Sequence, residues 1–177
     1  MTDSSPIPAD INDRLLHFQE EVKKCFLFLT DFNYSLEKIE TGRTDNFLNY
    51  YCNFYYQNGD TSVSVDYSTD IINGQTIAFP QVEQRPIIND LVSCSISDSN
   101  AFMSIDHFAR ETQPKLSKDY FTIGQNGKGI KAEITRVVQN YAHFFRNHLY
   151  DVIQKKKIYN CYIDRFYDKV FEEKYYH

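Results

Sequence analysis

Apolar residues recur along the chain with two different periods, and these periods divide it into helices and strands. Between Asp10 and Thr30 they come every three or four residues, as on one face of a helix. The same spacing runs from Ile130 to Ile153, where one apolar stripe is opposed by charged and amide side chains. These patterns predict an amphipathic first helix and a long helix late in the chain.

The middle of the chain alternates between two faces instead. Leu48 to Tyr56 and Ser62 to Tyr67 both show a period of two, which is typical of strands. Asn58-Gly59 separates these two segments, and Asn73-Gly74 follows the second. Both residue types tolerate the positive φ that a type I′ turn requires at its two central positions. The sequence therefore predicts two hairpin turns and an antiparallel meander.

Three further segments extend this meander. Phe32 to Thr41, the pair Ile77 and Phe79, and Asp90 to Ser97 also alternate, which brings the sheet to about five strands. Ser104 is placed to cap a short helix that runs to Arg110. We expect an α+β fold with an N-terminal helix, an antiparallel β-meander of about five strands, and C-terminal helices packed on the sheet.

The domain organisation follows from length and composition. Residues 1–9 are polar and contain two prolines, so we expect a disordered tail there. The remaining residues 10–177 are the right length for a single domain, since the chain is 42% apolar and shows no linker. Within that domain, residues 158–177 repeat aromatic side chains at helical spacing and predict an aromatic C-terminal helix.

Charge limits the classes of partner. The chain has 19 basic and 24 acidic residues, a net charge of −5, which disfavours nucleic acid and anionic membrane surfaces. No apolar run approaches the roughly 20 residues that span a bilayer, and no leader pattern precedes the first helix, so we expect a cytoplasmic protein. The four cysteines are scattered without metal-ligand or redox spacing, and we expect no metal and no cofactor.

One glycine-rich segment has the composition of a phosphate-binding loop. Gly124, Gly127, Lys128 and Gly129 lie directly before the long helix, where backbone N–H groups and an ammonium group could hold a phosphate. Their spacing fits neither common nucleotide-binding motif, and no Ser or Thr follows Lys128 to hold magnesium. A connector before a helix is the alternative interpretation, and the sequence contains no catalytic signature.

The histidines give no clear site either. Asp106 and His107 are adjacent, but neighbouring residues on a helix do not face each other, so we expect local surface hydrogen bonds. His148 falls on the apolar stripe of the long helix and is expected to be a core or interface imidazole, whereas His143 falls on its polar face. Paired carboxylates elsewhere lie in charged helical stretches and indicate solvated faces.

Surplus aromatic residues give the clearest indication of function. Tyr51 and Tyr55 alternate with the predicted core positions and therefore point to the second face of the sheet. Rings are enriched at protein interfaces because they bury a large area at low entropic cost. The interface prediction also includes four residues of the C-terminal segment, namely Tyr162, Phe166, Tyr167 and Phe171. The alternative is that one group covers the other within the monomer.

Taken together, the first helix, the Asn-Gly meander, the segment Phe102 to Phe108 and the long helix resemble small bacterial α+β proteins. Some of these are grouped with the immunity proteins of polymorphic toxin systems. The resemblance covers about residues 10 to 155 and implies a noncatalytic protein that neutralises a toxin. The remaining hypotheses are a homo-oligomeric structural protein and an enzyme that binds a nucleotide or phosphate ligand at residues 124–129.

Overall fold

The computed structural model describes residues 7–44, 49–72, 87–98, 102–124 and 129–154. Its elements, in chain order, are α1 (Ala9–Cys25), a 3₁₀ helix (Leu27–Phe32), β1 (Ser35–Arg43), β2 (Asn49–Asn58), β3 (Thr61–Ile72), β4 (Ile87–Ser97), β5 (Phe102–Ser104), α2 (Ile105–Thr112), α3 (Ile130–His148) and α4 (Tyr150–Ile153).

The five strands form one antiparallel sheet in which each strand pairs with the next along the chain, from β1 to β5. The predicted α+β fold with a five-stranded meander is thus confirmed. The short strand β5 was not predicted, because three residues are too few to show a period. The second Asn-Gly step and the predicted strand at Ile77 and Phe79 lie outside the described residues.

The turn between β2 and β3 differs from the prediction. Asn58 pairs with Thr61, so the two central residues of the turn are Gly59 and Asp60. Gly59 has a φ of 62°. Among the described non-glycine residues only Asn33 has a positive φ, so Asp60 does not. This is the pattern of a type II′ turn and not of type I′. Asn58 remains in the strand, and its Nδ2 donates to the carbonyl oxygen of Phe32 at 2.8 Å.

The first helical segment also ends earlier than predicted. Helix α1 ends at Cys25, and the chain continues as a 3₁₀ helix to Phe32. Asn33 then adopts the left-handed conformation, with a φ of 61°, and its N–H donates to the carbonyl oxygens of Leu29 and Thr30. Asn tolerates this conformation better than most residues, so it is a suitable residue to turn the chain into β1.

Helices α1 and α3 lie side by side on one face of the sheet, which we call the inner face. Phe18 of α1 is fully buried, with its ring centroid 5.3 Å from that of Tyr67 and 6.0 Å from that of Phe54. Tyr141 of α3 donates its hydroxyl to the carbonyl oxygen of Val92 at 3.3 Å. The core is therefore the layer between these helices and the alternate residues of β2, β3 and β4.

Hydrogen bonds among three polar side chains, Arg14, Tyr67 and Asp90, connect α1 to the sheet. Asp90 accepts from Arg14 at 2.8 Å and from the Tyr67 hydroxyl at 2.5 Å. Burial, together with the hydrogen bond to this carboxylate, raises the pKa of Tyr67 well above its ordinary value. Tyr67 therefore acts here as a neutral donor.

Candidate functional site on the outer face of the sheet

The side of the sheet away from α1 and α3 carries the two predicted tyrosines. Strand register and alternation assign the following residues to this side, called the outer face: Lys38, Glu40 and Gly42 of β1, Asn49, Tyr51, Asn53, Tyr55 and Gln57 of β2, Ser62, Ser64, Asp66 and Ser68 of β3, Asn89, Leu91, Ser93, Ser95 and Ser97 of β4, and Phe102 and Ser104 of β5. The ring contacts of α1, α2 and α3 lie on the inner side. Within the described residues, no helix packs on the outer face.

The tyrosines occupy the β1–β2 side of this face. Gly42 is paired with Tyr51, and a Cβ atom at position 42 would lie 2.6 Å from the Tyr51 hydroxyl oxygen. The Tyr51 ring therefore lies across β1 in space that the missing side chain leaves open. Asn53 donates to the hydroxyl of Tyr55 at 3.3 Å, and burial raises the pKa of Tyr55. Both rings are half-buried.

Serine hydroxyls form cross-strand pairs between β3 and β4. The Oγ atoms of Ser62 and Ser97 are 2.7 Å apart, and those of Ser64 and Ser95 are 2.8 Å apart. Ser64 also donates to Asp66 at 2.9 Å. A serine has one hydroxyl proton, so Ser95 must donate to Ser64 while Ser64 donates to the carboxylate. The hydroxyls of Ser95 and Ser64 thus donate in one direction, toward Asp66.

Asp66 is the most unusual group on the outer face. Burial raises the pKa of this carboxyl, and the hydrogen bond from Ser64 opposes the shift only in part. Glu40, in contrast, is only partly buried, and its hydrogen bond with Lys38 lowers its pKa. A half-buried carboxylate that lowers the stability of the fold at neutral pH is a candidate functional group, since shifted pKa values concentrate at functional sites.

Two large apolar side chains complete the face. Leu91 on β4 is 53% exposed, and Phe102 on β5 is 64% exposed. Their strand pairing assigns both to the outer face, Leu91 in the row of Tyr51 and Phe102 in the row of Gln57. Exposed apolar residues beside polar ones are typical of protein-binding surfaces. Rings and apolar side chains therefore surround a centre of hydroxyl, amide and carboxylate groups.

The sequence predicts only part of this surface. Tyr51 and Tyr55 share one face as expected, but their role in an interface stays a prediction. The hydroxyl pairs and the carboxylate of Asp66 were missed, although the alternating polar positions were a visible signal: serine at 62, 64 and 68 with aspartate at 66, and serine at 93, 95 and 97. The four aromatic residues of the C-terminal segment, Tyr162, Phe166, Tyr167 and Phe171, lie outside the described residues.

The glycine-rich segment is described only at its two ends. The N–H of Gly124 donates to the Glu133 carboxylate at 3.2 Å, and Gly129 directly precedes α3. Gly127 and Lys128 lie outside the described residues. Phosphate binding at this segment therefore stays a prediction.

The polar groups of α2 bind locally, as expected. His107 Nε2 lies 3.2 Å from Glu111 Oε1, one helical turn away. Ser104 donates its hydroxyl to the Asp106 carboxylate and makes no side-chain hydrogen bond to a backbone N–H at the start of α2. Ser104 therefore stands at the N-cap position as predicted, but the predicted side-chain hydrogen bond to the backbone of the helix is not formed.

The two histidines of α3 do not form a site together. His148 is exposed, and its ring packs on Phe144 with centroids 4.7 Å apart. Its predicted core position is therefore wrong, and the interface alternative stays a prediction. His143 Nε2 lies 2.8 Å from Asn147 Nδ2 on the exposed side of the helix. In the part of the chain that the structure describes, no three His, Cys, Asp or Glu residues are grouped to hold a metal ion.

No family model, curated protein or solved structure matches this chain. Among the helices of the described ranges, none is long and apolar enough to cross a membrane. The function of the chain is therefore inferred from the geometry and chemistry of the described residues.

Proposed function

We propose that this protein is a noncatalytic protein-binding domain that neutralises a toxin, and that the outer face of the sheet is its binding surface. One observation carries the proposal: Tyr51, Tyr55, Leu91 and Phe102 surround ordered hydroxyls on a sheet face that no described helix covers. The proposal extends the resemblance to immunity proteins, which act by occluding their toxins.

The chemistry of the outer face suits protein recognition. Tyrosine gives large contact area for the loss of few rotamers, while serine and asparagine give adaptable hydrogen bonds. Along β2 the outer face is about nine residues, or about 30 Å, long, and four adjacent strands make it about 20 Å wide. Its area in projection is therefore about 600 Å². A standard interface buries about 800 Å² on each partner. The outer face therefore supplies most of one side of such an interface.

Charge indicates the kind of partner. The chain has a net charge of −5, and on the outer face Lys38 and Glu40 pair with each other. Asp66 remains as the acidic group at the centre, with a pKa raised by burial. An arginine or lysine of a partner beside Asp66 would favour its ionised form and remove the cost of that burial. We therefore infer a basic toxin that places a cation against Asp66.

The test is a growth assay in which the product of the gene adjacent to this one is expressed from an inducible promoter. We expect that product to arrest growth and the wild-type chain to restore it. The double variant Tyr51→Ser/Tyr55→Ser should bind the product far more weakly and fail to restore growth. Tyr150→Ser is the matched control, because Tyr150 is half exposed on α4, away from the outer face.

Two results would contradict the proposal. One is an adjacent gene product that is harmless or does not bind the purified chain. The other is full protection by the Tyr51→Ser/Tyr55→Ser variant at wild-type protein levels. Sedimentation velocity on the purified chain adds a third check, since dimers that dissociate only in that variant would instead indicate a homo-oligomeric role for the outer face.

A further inference from the structure

A cleft lies between the end of α2 and the irregular segment that follows it, well separated in sequence from the tyrosines of the outer face. Its volume is about 480 Å³. Pockets that bind small molecules have volumes of about 300–1,000 Å³. The residues lining it include Ala109, Arg110, Pro114, Leu116, Lys118 and Phe121.

The apolar wall of the cleft is fixed from behind. Phe121 is buried, and its ring stacks on Tyr141 with centroids 4.3 Å apart and meets Phe144 edge-on at 5.7 Å. Ala109 is buried on the opposite side, in α2. The wall is therefore continuous with the hydrophobic core.

Hydrogen bonds from α3 hold the irregular segment in place. Arg136 donates to the carbonyl oxygens of Asp119, Tyr120 and Thr122 at distances of 3.1, 3.3 and 2.7 Å. Asn140 donates to the Tyr120 carbonyl oxygen at 2.6 Å. A cleft whose walls are already ordered loses little entropy when a ligand binds.

The charge of the cleft is opposite to that of the chain. Arg110 and Lys118 line it, and no acidic residue does. Neither cation forms an ion pair within the described residues, whereas His107 on the same helix lies beside Glu111. Two cations beside an apolar wall, in a chain of net charge −5, are arranged to hold an anionic group attached to an apolar body.

From these observations we propose that the cleft between α2 and residues 113–121 binds a small carboxylic acid with an apolar ring or branched chain. The apolar body lies against Leu116 and Phe121, and the carboxylate lies between Arg110 and Lys118. This site does not depend on the toxin-binding proposal, because it uses a different surface.

The test compares two probes of nearly the same shape, 1-naphthoate and 1-naphthalenemethanol, by isothermal titration calorimetry on the full chain. We expect the carboxylate to bind at least about tenfold more tightly than the alcohol, because charge-assisted hydrogen bonds form only with the carboxylate. Equal affinities, or no binding of either probe at millimolar concentration, would overturn the proposal.

Variants locate the site. Arg110→Gln/Lys118→Gln should abolish the preference for the carboxylate while leaving the alcohol affinity unchanged, and each single substitution should remove part of the preference. Lys115→Gln is the matched control, since Lys115 is an exposed cation in the same segment that does not line the cleft. A loss of carboxylate binding in Lys115→Gln equal to that in the double variant would refute the site.

Discussion

Replacing Arg136 by methionine tests whether a buried carboxylate depends on this guanidinium. Arg136 donates to Glu133 Oε2 from Nε at 3.2 Å and from its second terminal nitrogen at 2.8 Å, besides its three bonds to backbone carbonyls. The Glu133 side chain is only 2% exposed, and that of Arg136 is 32% exposed. Methionine keeps most of the apolar stem and removes every one of these donors.

The expected loss can be estimated from the burial. Removing one partner of a buried ion pair costs about 3–5 kcal/mol, because the other charge stays behind. Glu133 still accepts from the N–H of Gly124, and one third of the Arg136 side chain is exposed. Because both facts reduce the cost, we expect a loss at the low end of this range. We expect Arg136→Met to lower the free energy of unfolding by about 3 kcal/mol. Adding Glu133→Gln should restore about 1–2 kcal/mol, because the buried charge is then gone.

Urea unfolding at pH 7 measures these values, and hydrogen exchange should show faster opening at residues 119–122 in Arg136→Met. Lys131→Met is the matched control on the same helix. Its ion pair with Asp13, at 2.6 Å, is exposed and should contribute less than about 1 kcal/mol. A loss of stability in Arg136→Met no larger than in Lys131→Met, or a further loss when Glu133→Gln is added to Arg136→Met, would show that Glu133 does not depend on the guanidinium.

Three other substitutions test the sheet and its helix layer. Burial raises the pKa of Asp66, so the folded protein binds its proton more tightly, and stability falls as the pH rises from the ordinary carboxyl value of 3.8 through the raised value. Asp66→Asn should therefore be more stable than wild type at pH 7 but not at pH 3 in urea unfolding, and an equal difference at both would contradict this. Phe18→Ala should lower the free energy of unfolding by about 4 kcal/mol, measured the same way, because the site is fully buried between two rings. Gly42→Ala should displace the Tyr51 ring, seen as shifted ring resonances in NMR, with a stability change below about 1 kcal/mol, because a side-chain end can move at low cost.

The fold could be predicted well from local pattern. The stripe of α1 and the alternation around Asn58-Gly59 follow from periods of 3.6 and 2, which a sequence displays directly. Boundaries were less accurate, as with the end of α1 at Cys25, because a 3₁₀ helix keeps nearly the same apolar spacing. The core position predicted for His148 was wrong for a similar reason. The apolar stripe predicts which side of α3 faces the core, but the elements that pack against α3 decide how far around the helix the buried side extends.

By itself, the sequence determined the α+β class, the two faces of β2 and β3, and the pairing of rings on one of them, since alternation fixes which side each residue takes. Only the tertiary structure decided that Ser64, Ser95 and Asp66 form one directed hydrogen-bond chain, because the residues come from strands about 30 positions apart. It also decided that Arg110 and Lys118 share a cleft, because that proximity depends on how an irregular segment is held against α3. Local periods are encoded residue by residue, whereas register between distant strands and the course of a loop depend on the packing of the whole domain.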